Sequence, residues 1–356
     1  MGMVRDQPFD RVVAIGDLNG AYDVLRDILL AMDIIDQQNR WIGGRAHLIQ
    51  IGDVFNRGGR ARDALRLLDA LRRKAPADGG RVTVLLGNHE VMTVLGNEAY
   101  CTTEEYLSFA SHRQRRLWPK RVERAMRELY HDHPPDGPIL PLEPRLEEWK
   151  ILNVPGRTAM RRALSSHGEL GRIVRRLPIA VIAADCVFCH AAITPVWARL
   201  GIDGLNRAAE RAWRSSPRFF EDLPHDGIFY AKQGPLWNRQ ITLRDNARTR
   251  QQLDRSLLRL QVERMVVGHT QTENVPGGEK GRIALRHQER LVCIDVGLGR
   301  EVPSPRTALL IEGGRGLEWT PSGTRVLWQN HRTSPRSGRP RPRARRAKAS
   351  AGEPGQ

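Results

Sequence analysis

Chemistry-bearing residues are concentrated in Gly87-Asn88-His89-Glu90, which follows the apolar run Arg81-Val-Thr-Val-Leu-Leu86. An amide, an imidazole and a carboxylate at the end of a short buried strand can ligate a metal, donate a proton and brace a loop. Two earlier stretches repeat the pattern: Gly16-Asp17-Leu18-Asn19-Gly20 and Gly52-Asp53-Val54-Phe55-Asn56-Arg57-Gly58, each closing an apolar run. Further on, His190 follows one such run and Gly268-His269 another. Ligands of open α/β sheets bind at the carboxyl ends of the strands. Asp17, Asn19, Asp53, Asn88, His190 and His269 together offer the oxygen and nitrogen donors that suit Mn, Fe, Zn or Mg. One carboxylate bridging two ions about 3.5–4 Å apart would hold a shared hydroxide, a nucleophile for in-line attack on phosphorus. Arg57, four positions past Asp53, carries the planar fork that grips phosphate oxygens. His89, beside Asn88, is placed to protonate a leaving group. Glu90 is expected to brace its loop, and Asp295 to satisfy backbone donors. His47, His112, His167, His225 and His287 fit none of these stretches.

The elements that must position these residues are legible from periodicity. Arg11-Val-Val-Ala-Ile15 reads as a first strand, and Tyr22, Leu25, Ile28, Leu29 and Met32 recur at helical spacing after it. Ala46-His-Leu-Ile-Gln-Ile51 is a second strand. A helix through Ala64, Leu65, Leu67, Leu68 and Leu71 then leads to the strand before Asn88. This βαβαβ order predicts a parallel sheet with right-handed crossovers. Residues 97–178 break the rhythm; they read as helical and contain Trp118, Trp149 and a proline-rich stretch at Pro134–Pro138. They are expected to form a cap-like insertion that includes Tyr100 and Tyr106 as packing residues. Residues 179–184 and 185–189 predict a hairpin ending at His190. Strands are also expected at 262–267, 291–296 and 306–311. No repeat of 20–50 residues is present.

The net charge of +17 favours polyanionic or phosphate-bearing partners. Part of it is local: residues 332–356 hold eight Arg or Lys and one Glu, composition that predicts a disordered basic tail able to bind polyanions nonspecifically. No apolar run approaches the ~18 residues of a membrane span, and the start lacks a signal-peptide core, so a cytoplasmic protein is expected. The cysteines, Cys101, Cys186, Cys189 and Cys293, are too scattered for a disulfide framework. Cys186 and Cys189 spell Cys-x-x-Cys, but on a strand an offset of three puts them on opposite faces. They are expected to be buried thiols.

Taken together, the blocks Gly16–Gly20, Gly52–Gly58, Gly87–Glu90, His190-Ala191 and Gly268-His269 resemble those of the phosphoprotein phosphatase superfamily within the calcineurin-like metallophosphatases. Pro235-Leu236-Trp237-Asn238-Arg239 is similar to an element of the Shewanella-like branch. The resemblance spans roughly residues 10–312. It implies an α/β sandwich of two mixed β-sheets flanked by helices, a metallophosphatase domain over residues 1–331, and two divalent metal ions. The first ion would take Asp17, Asn19 and Asp53; the second would take Asp53, Asn88, His190 and His269. Arg57 and Arg239 would clamp the phosphate together with Asn88, and His89 would act as acid. The substrate implied is a phosphorylated protein or a small phosphoester. Two positions depart from the family pattern. Asn19 stands where the family has a ligating histidine, which should weaken the first metal site. Asn56 replaces an aspartate that orients the catalytic histidine, so its neutral oxygen can accept a hydrogen bond from His89 but cannot stabilise the imidazolium. Both changes point to reduced activity. Two alternatives follow: a pseudophosphatase that binds phosphorylated partners, and a hydrolase of dinucleoside polyphosphates.

Overall fold

The computed structural model describes residues 9–131, 142–215, 219–299 and 303–330. The basic tail and the Pro134–Pro138 stretch expected from sequence lie outside these residues. Two mixed sheets form the centre. The first runs β11-β10-β9-β1-β2-β3, with β1 (Arg11–Ile15), β2 (Ala46–Gln50) and β3 (Arg81–Val84) parallel to one another. β9 (Ala308–Glu312), β10 (Arg315–Thr320) and β11 (Gly323–Gln329) add antiparallel on the far side of β1. The second runs β4-β5-β6-β8-β7. In it β4 (Ala180–Ala183) and β5 (Cys186–Cys189) form the expected hairpin, and β6 (Arg264–Val267) and β8 (Leu291–Cys293) continue parallel to β5. β7 (Ala284–Arg286) closes that sheet antiparallel to β8.

Each crossover helix forms because its apolar residues line one face. α1 (Tyr22–Ala31) buries Leu25, Ile28 and Leu29. α2 (Ala61–Lys74) buries Ala64, Leu65, Leu67, Leu68 and Leu71, and ends in Arg72, Arg73 and Lys74, whose charges suit a helix C-terminus. β2 is buried along its whole length, as a central strand covered on both faces must be. α3 (Asn88–Val94) begins at the residue after Gly87, so the Asn-His-Glu triplet is the first turn of a helix rather than a free loop.

The insertion is helical as expected: α4 (Thr103–Phe109), α5 (His112–His131), α6 (Leu142–Asn153), α7 (Arg157–Leu164) and α8 (Glu169–Val174) separate α3 from β4. Trp118 stacks on Trp149 with ring centroids 5.7 Å apart, joining α5 to α6. Glu98 ties the segment down by accepting from Arg157, Arg161 and the Tyr106 hydroxyl. Beyond β5 lie α9 (Pro195–Ala198), α10 (Gly201–Ser215), α11 (Gln240–Leu243) and α12 (Ala247–Leu260).

The expected strands at 262–267, 291–296 and 306–311 are present but shorter or shifted, and β7, β10 and β11 add to those expected. Ile294, Asp295 and Val296 lie beyond the end of β8, where Ile294 N still donates to Val267 O (2.8 Å). Cys186, Cys189 and Cys293 are buried free thiols, and burial pushes all three up from the usual thiol pKa, which makes them poor nucleophiles or ligands.

Candidate metal centre

Three parallel strands of the first sheet and two of the second point their carboxyl ends at one place. β1 leads to Asp17 and Asn19, β2 to Asp53 through Arg57, and β3 to Asn88 and His89; β5 leads to His190 and β6 to His269. The loops are joined by backbone. The amides of Leu18 and Asn19 both donate to Asp53 O (3.0 and 2.9 Å), and the amide of Gly268 donates to His190 O (2.9 Å). The sheets meet where the amide of His269 donates to both Asp17 carboxylate oxygens (3.1 and 3.2 Å).

Glu90 is the brace anticipated from sequence. Its carboxylate accepts from the amides of Asp53 (2.9 Å), Val54 (2.7 Å), Phe55 (3.2 Å) and Gly87 (2.8 Å). Burial, followed by the charge of Asp53, pushes Glu90 up to about 7. Gln50, which no sequence pattern marks, does similar work: its amide donates to Gly16 O and Gly52 O and accepts from Gly52 N. Such bracing holds backbone that ordinary residues avoid. Asn19, Asp53, Asn56, Arg57 and His269 all have positive φ, between 45° and 68°. Two glycines permit the closeness: a Cβ on Gly87 would collide with the Asp53 carboxylate, and one on Gly268 with that of Asp17.

Four side chains converge fully. His190 places Nδ1 3.1 Å from Ile51 O, so Nδ1 carries the proton and donates. Its Nε2 then faces Asn88 Oδ1 at 2.9 Å and Asp53 Oδ1 at 3.3 Å. The His269 ring stands 5.0 Å from that of His190, and its buried Nε2 has no hydrogen-bond partner among the described residues. Two oxygens and two imidazoles thus face one another; burial opposes charge on His190, but Asp53 beside it pushes the imidazole up to about 9, so either a proton on Nε2 or a cation that displaces it can satisfy the cluster. Potential ligand atoms of Asp53, His190 and His269 all lie within 4.8 Å of one another. The residues present therefore fit a divalent ion. Burial opposes ionisation of Asp53, yet the charges of His190 and His89 hold it well below the usual carboxylate range. Burial, aided by His190 and Arg239, drives His269 toward the neutral form that ligates.

The expected first site is less complete. Asp17 and Asn19 are buried beside Asp53, but the Asn19 amide nitrogen is turned toward Phe55 O at 3.4 Å. Arg57 and Arg239 stand exposed at the rim. Arg239 donates to Thr270 Oγ1 at 3.2 Å, and the Arg57 guanidinium lies 4.6 Å over the Tyr100 ring. Tyr100 corrects the sequence reading. It is not cap packing; it is 42% exposed, with its ring 4.9 Å from that of His89. Its backbone carbonyl also accepts from the amide of Arg57. Tyr106, by contrast, packs as expected.

His89 is held from two sides. Its amide donates to Asp53 Oδ1 (3.0 Å), and its Nε2 lies 3.7 Å from Asp53 Oδ2. Nδ1 lies 2.7 Å from Asn56 Oδ1, the contact expected of the substituted position. Thr93 and Glu105, which carry no signal in the sequence, complete this corner. Thr93 Oγ1 donates to Asn56 Oδ1 at 3.1 Å, and Glu105 accepts from the Asn56 side-chain amide at 3.3 Å and from its backbone amide at 3.0 Å. Asp295 meets the expectation of a backbone partner, accepting from Gly297 N.

Comparison with known proteins agrees with this geometry. The profile of the calcineurin-like phosphoesterase family matches residues 10–273. The chain is 28% identical over 205 residues to Shewanella-like protein phosphatase 2 of Arabidopsis thaliana, covering 57% of this chain and 51% of that protein, so it spans about half the length of this relative. It is 27% identical over 312 residues to an uncharacterized protein of Schizosaccharomyces pombe, covering 84% and 76%. A solved cold-active protein tyrosine phosphatase superposes with a TM-score of 0.66 at 22% identity, covering 90% of this chain and 80% of that one, which shows a shared fold.

Proposed function

Since the chain belongs to the calcineurin-like phosphoesterases, a family of hydrolases, we propose that it hydrolyses phosphate monoesters, with a phosphorylated protein or small phosphoester as substrate and divalent ions as cofactors. The observation that carries this reading is the buried convergence of Asp53, Asn88, His190 and His269. These four would hold one ion, and Asp17, Asn19 and Asp53 a second, weaker one. Bound divalent ions supply Lewis acidity toward phosphate oxygens and activate water for in-line attack. Arg57 and Arg239, at the rim, bind the phosphate oxygens and orient the ester, with Asn88 assisting. His89, protonated on both nitrogens, gives the Nε2 proton to the leaving oxygen while Asn56 accepts from Nδ1. In this reading residues 1–331 make one metallophosphatase domain, with residues 97–178 inserted as a helical cap.

A second reading has its own support. Asn19 and Asn56 both remove groups that would strengthen the chemistry, which favours a module that holds phosphorylated partners without turnover. Steady-state hydrolysis of an aryl phosphate by manganese-loaded protein separates the two. The enzyme reading expects turnover that vanishes on chelation and in Asp53→Ala. Saturable phosphopeptide binding with no turnover supports the binding module. Preference for a dinucleoside tetraphosphate over either monoester would overturn the monoesterase assignment.

A further inference from the structure

Position 56 lacks a carboxylate, yet a carboxylate stands directly behind it. Glu105, on the first helix of the insertion, is fully buried. Its Oε1 accepts the Asn56 backbone amide at 3.0 Å, and its Oε2 accepts Asn56 Nδ2 at 3.3 Å. That second bond decides which way the amide faces. With Nδ2 turned to Glu105 and to Cys101 Sγ (3.2 Å), Oδ1 must turn to the Thr93 hydroxyl (3.1 Å) and to His89 Nδ1 (2.7 Å). The opposite orientation would set Oδ1 against the carboxylate and put an N–H donor toward the ring. An oxygen at Nδ1 selects the imidazole with its proton there, and leaves Nε2 for the proton passed to substrate.

We propose that Glu105 is a positioning residue of this site, locking the Asn56 amide so that Oδ1 fixes His89 in the Nδ1–H tautomer. The role rests on the phosphoesterase reading, in which His89 serves as acid. It makes the insertion part of the proton-transfer apparatus as well as a cover.

The decisive test exchanges amide and carboxylate. In E105Q the carboxamide introduced at position 105 can satisfy only one of the two Asn56 donors. His89 should then populate both tautomers, and kcat on an alkyl phosphate should fall about tenfold or more with KM unchanged, within the range of general acid effects. An aryl phosphate, whose leaving group needs little protonation, should be affected less. N56D alone sets two buried carboxylates against each other. In the pair N56D/E105Q, the carboxamide at position 105 donates to the carboxylate at position 56 and accepts that residue's backbone amide. Activity on the alkyl ester should therefore recover to or above wild type. Ring ¹⁵N shifts of His89 in the full-length protein, with and without zinc, report the tautomer independently of turnover, and the wild type alone suffices if a variant fails to fold. A wild-type ring carrying its proton on Nε2, or an equal E105Q loss on both esters without rescue in the pair, would overturn the proposal. An Nδ1–H ring in a protein that hydrolyses no ester would sink the phosphoesterase reading instead and leave the Glu105 lock standing.

Discussion

Glu90 Oε2 lies 2.9 Å from the backbone nitrogen of Asp53 and 2.8 Å from that of Gly87, so one carboxylate fastens the loop after β2 to the loop after β3. Both loops carry a residue of the donor cluster, and Asp53 sits there at φ 55°. The spacing between Asp53 and Asn88 is therefore set by a side chain that touches no substrate.

Glu90→Ala is expected to cost more than its own packing. Each buried hydrogen bond to a charged group contributes about 1.5–3 kcal/mol, and truncation leaves four buried amides to find new partners. Urea denaturation should show a loss of several kcal/mol, on the order of 3–5, and metal analysis a fall in bound ion per chain. A variant with wild-type stability and full metal occupancy would show that the loops hold themselves.

Arg57→Ala and Arg239→Ala should both raise KM for phosphoesters while leaving the metal content unchanged, because neither guanidinium belongs to the cluster of donors. Removing a charged bidentate grip at the rim corresponds to roughly tenfold to a hundredfold in kcat/KM. Arg57→Ala should be the more severe for aryl esters, since it also frees the Tyr100 ring it covers. Unchanged kinetics in both would remove the clamp from the mechanism.

Asn19→His restores an imidazole beside Asp17 and Asp53. Bound metal should rise by up to one ion per chain, and turnover should increase alike on alkyl and aryl esters, because the change acts on the nucleophile side. Metal analysis and kcat/KM on the two esters decide it. Constant metal content with constant rate would mean that residue 19 does not limit this site.

Stability should carry a pH signature from Glu105. Burial pushes its pKa up to about 7 from the ordinary 4.5. The folded state then binds a proton that the unfolded state has released, so this contribution is fully present below pH ~4.5 and is lost as pH rises through ~7. The amount is on the order of 3 kcal/mol. E105Q has no such titration, so the stability advantage of wild type over E105Q should shrink between pH 5 and 8. Parallel urea midpoints across that window would contradict a raised Glu105.

Much of this site is legible from the chain because parallel strands deliver their C-terminal residues to one edge. Asp17, Asp53, Asn88, His190 and His269 can each be named by standing after an apolar run and a turn. The bracing by Glu90 is readable too, since a carboxylate in the first turn after a glycine favours nearby amides. Glu105 and Tyr100 are not. They belong to a helical insertion whose docking angle no periodicity encodes, and a Glu among Thr102, Thr103 and Glu104 looks like any acidic first turn of a helix. The hairpin of β10 and β11 escapes for another reason. Leu317 and Trp319 alternate, and Gly313-Gly314 and Ser322-Gly323 mark turns, but arginine and glutamate interrupt the apolar pattern of an outer strand pair.

The bond from the His269 amide to Asp17 closes a separation of 252 residues. Contacts this distant in sequence form late, after the entropy of the intervening loop has been met by other structure. On a ribosome adding ~5–20 residues per second, Asn88 emerges roughly 10–40 s before His269. During that interval the nascent chain carries Asp17, Asp53 and Asn88 without the His269 imidazole, and for the first part of it without His190 as well. The donor cluster is complete only once β6 has joined the second sheet, so the order of synthesis holds back its assembly until late in the chain.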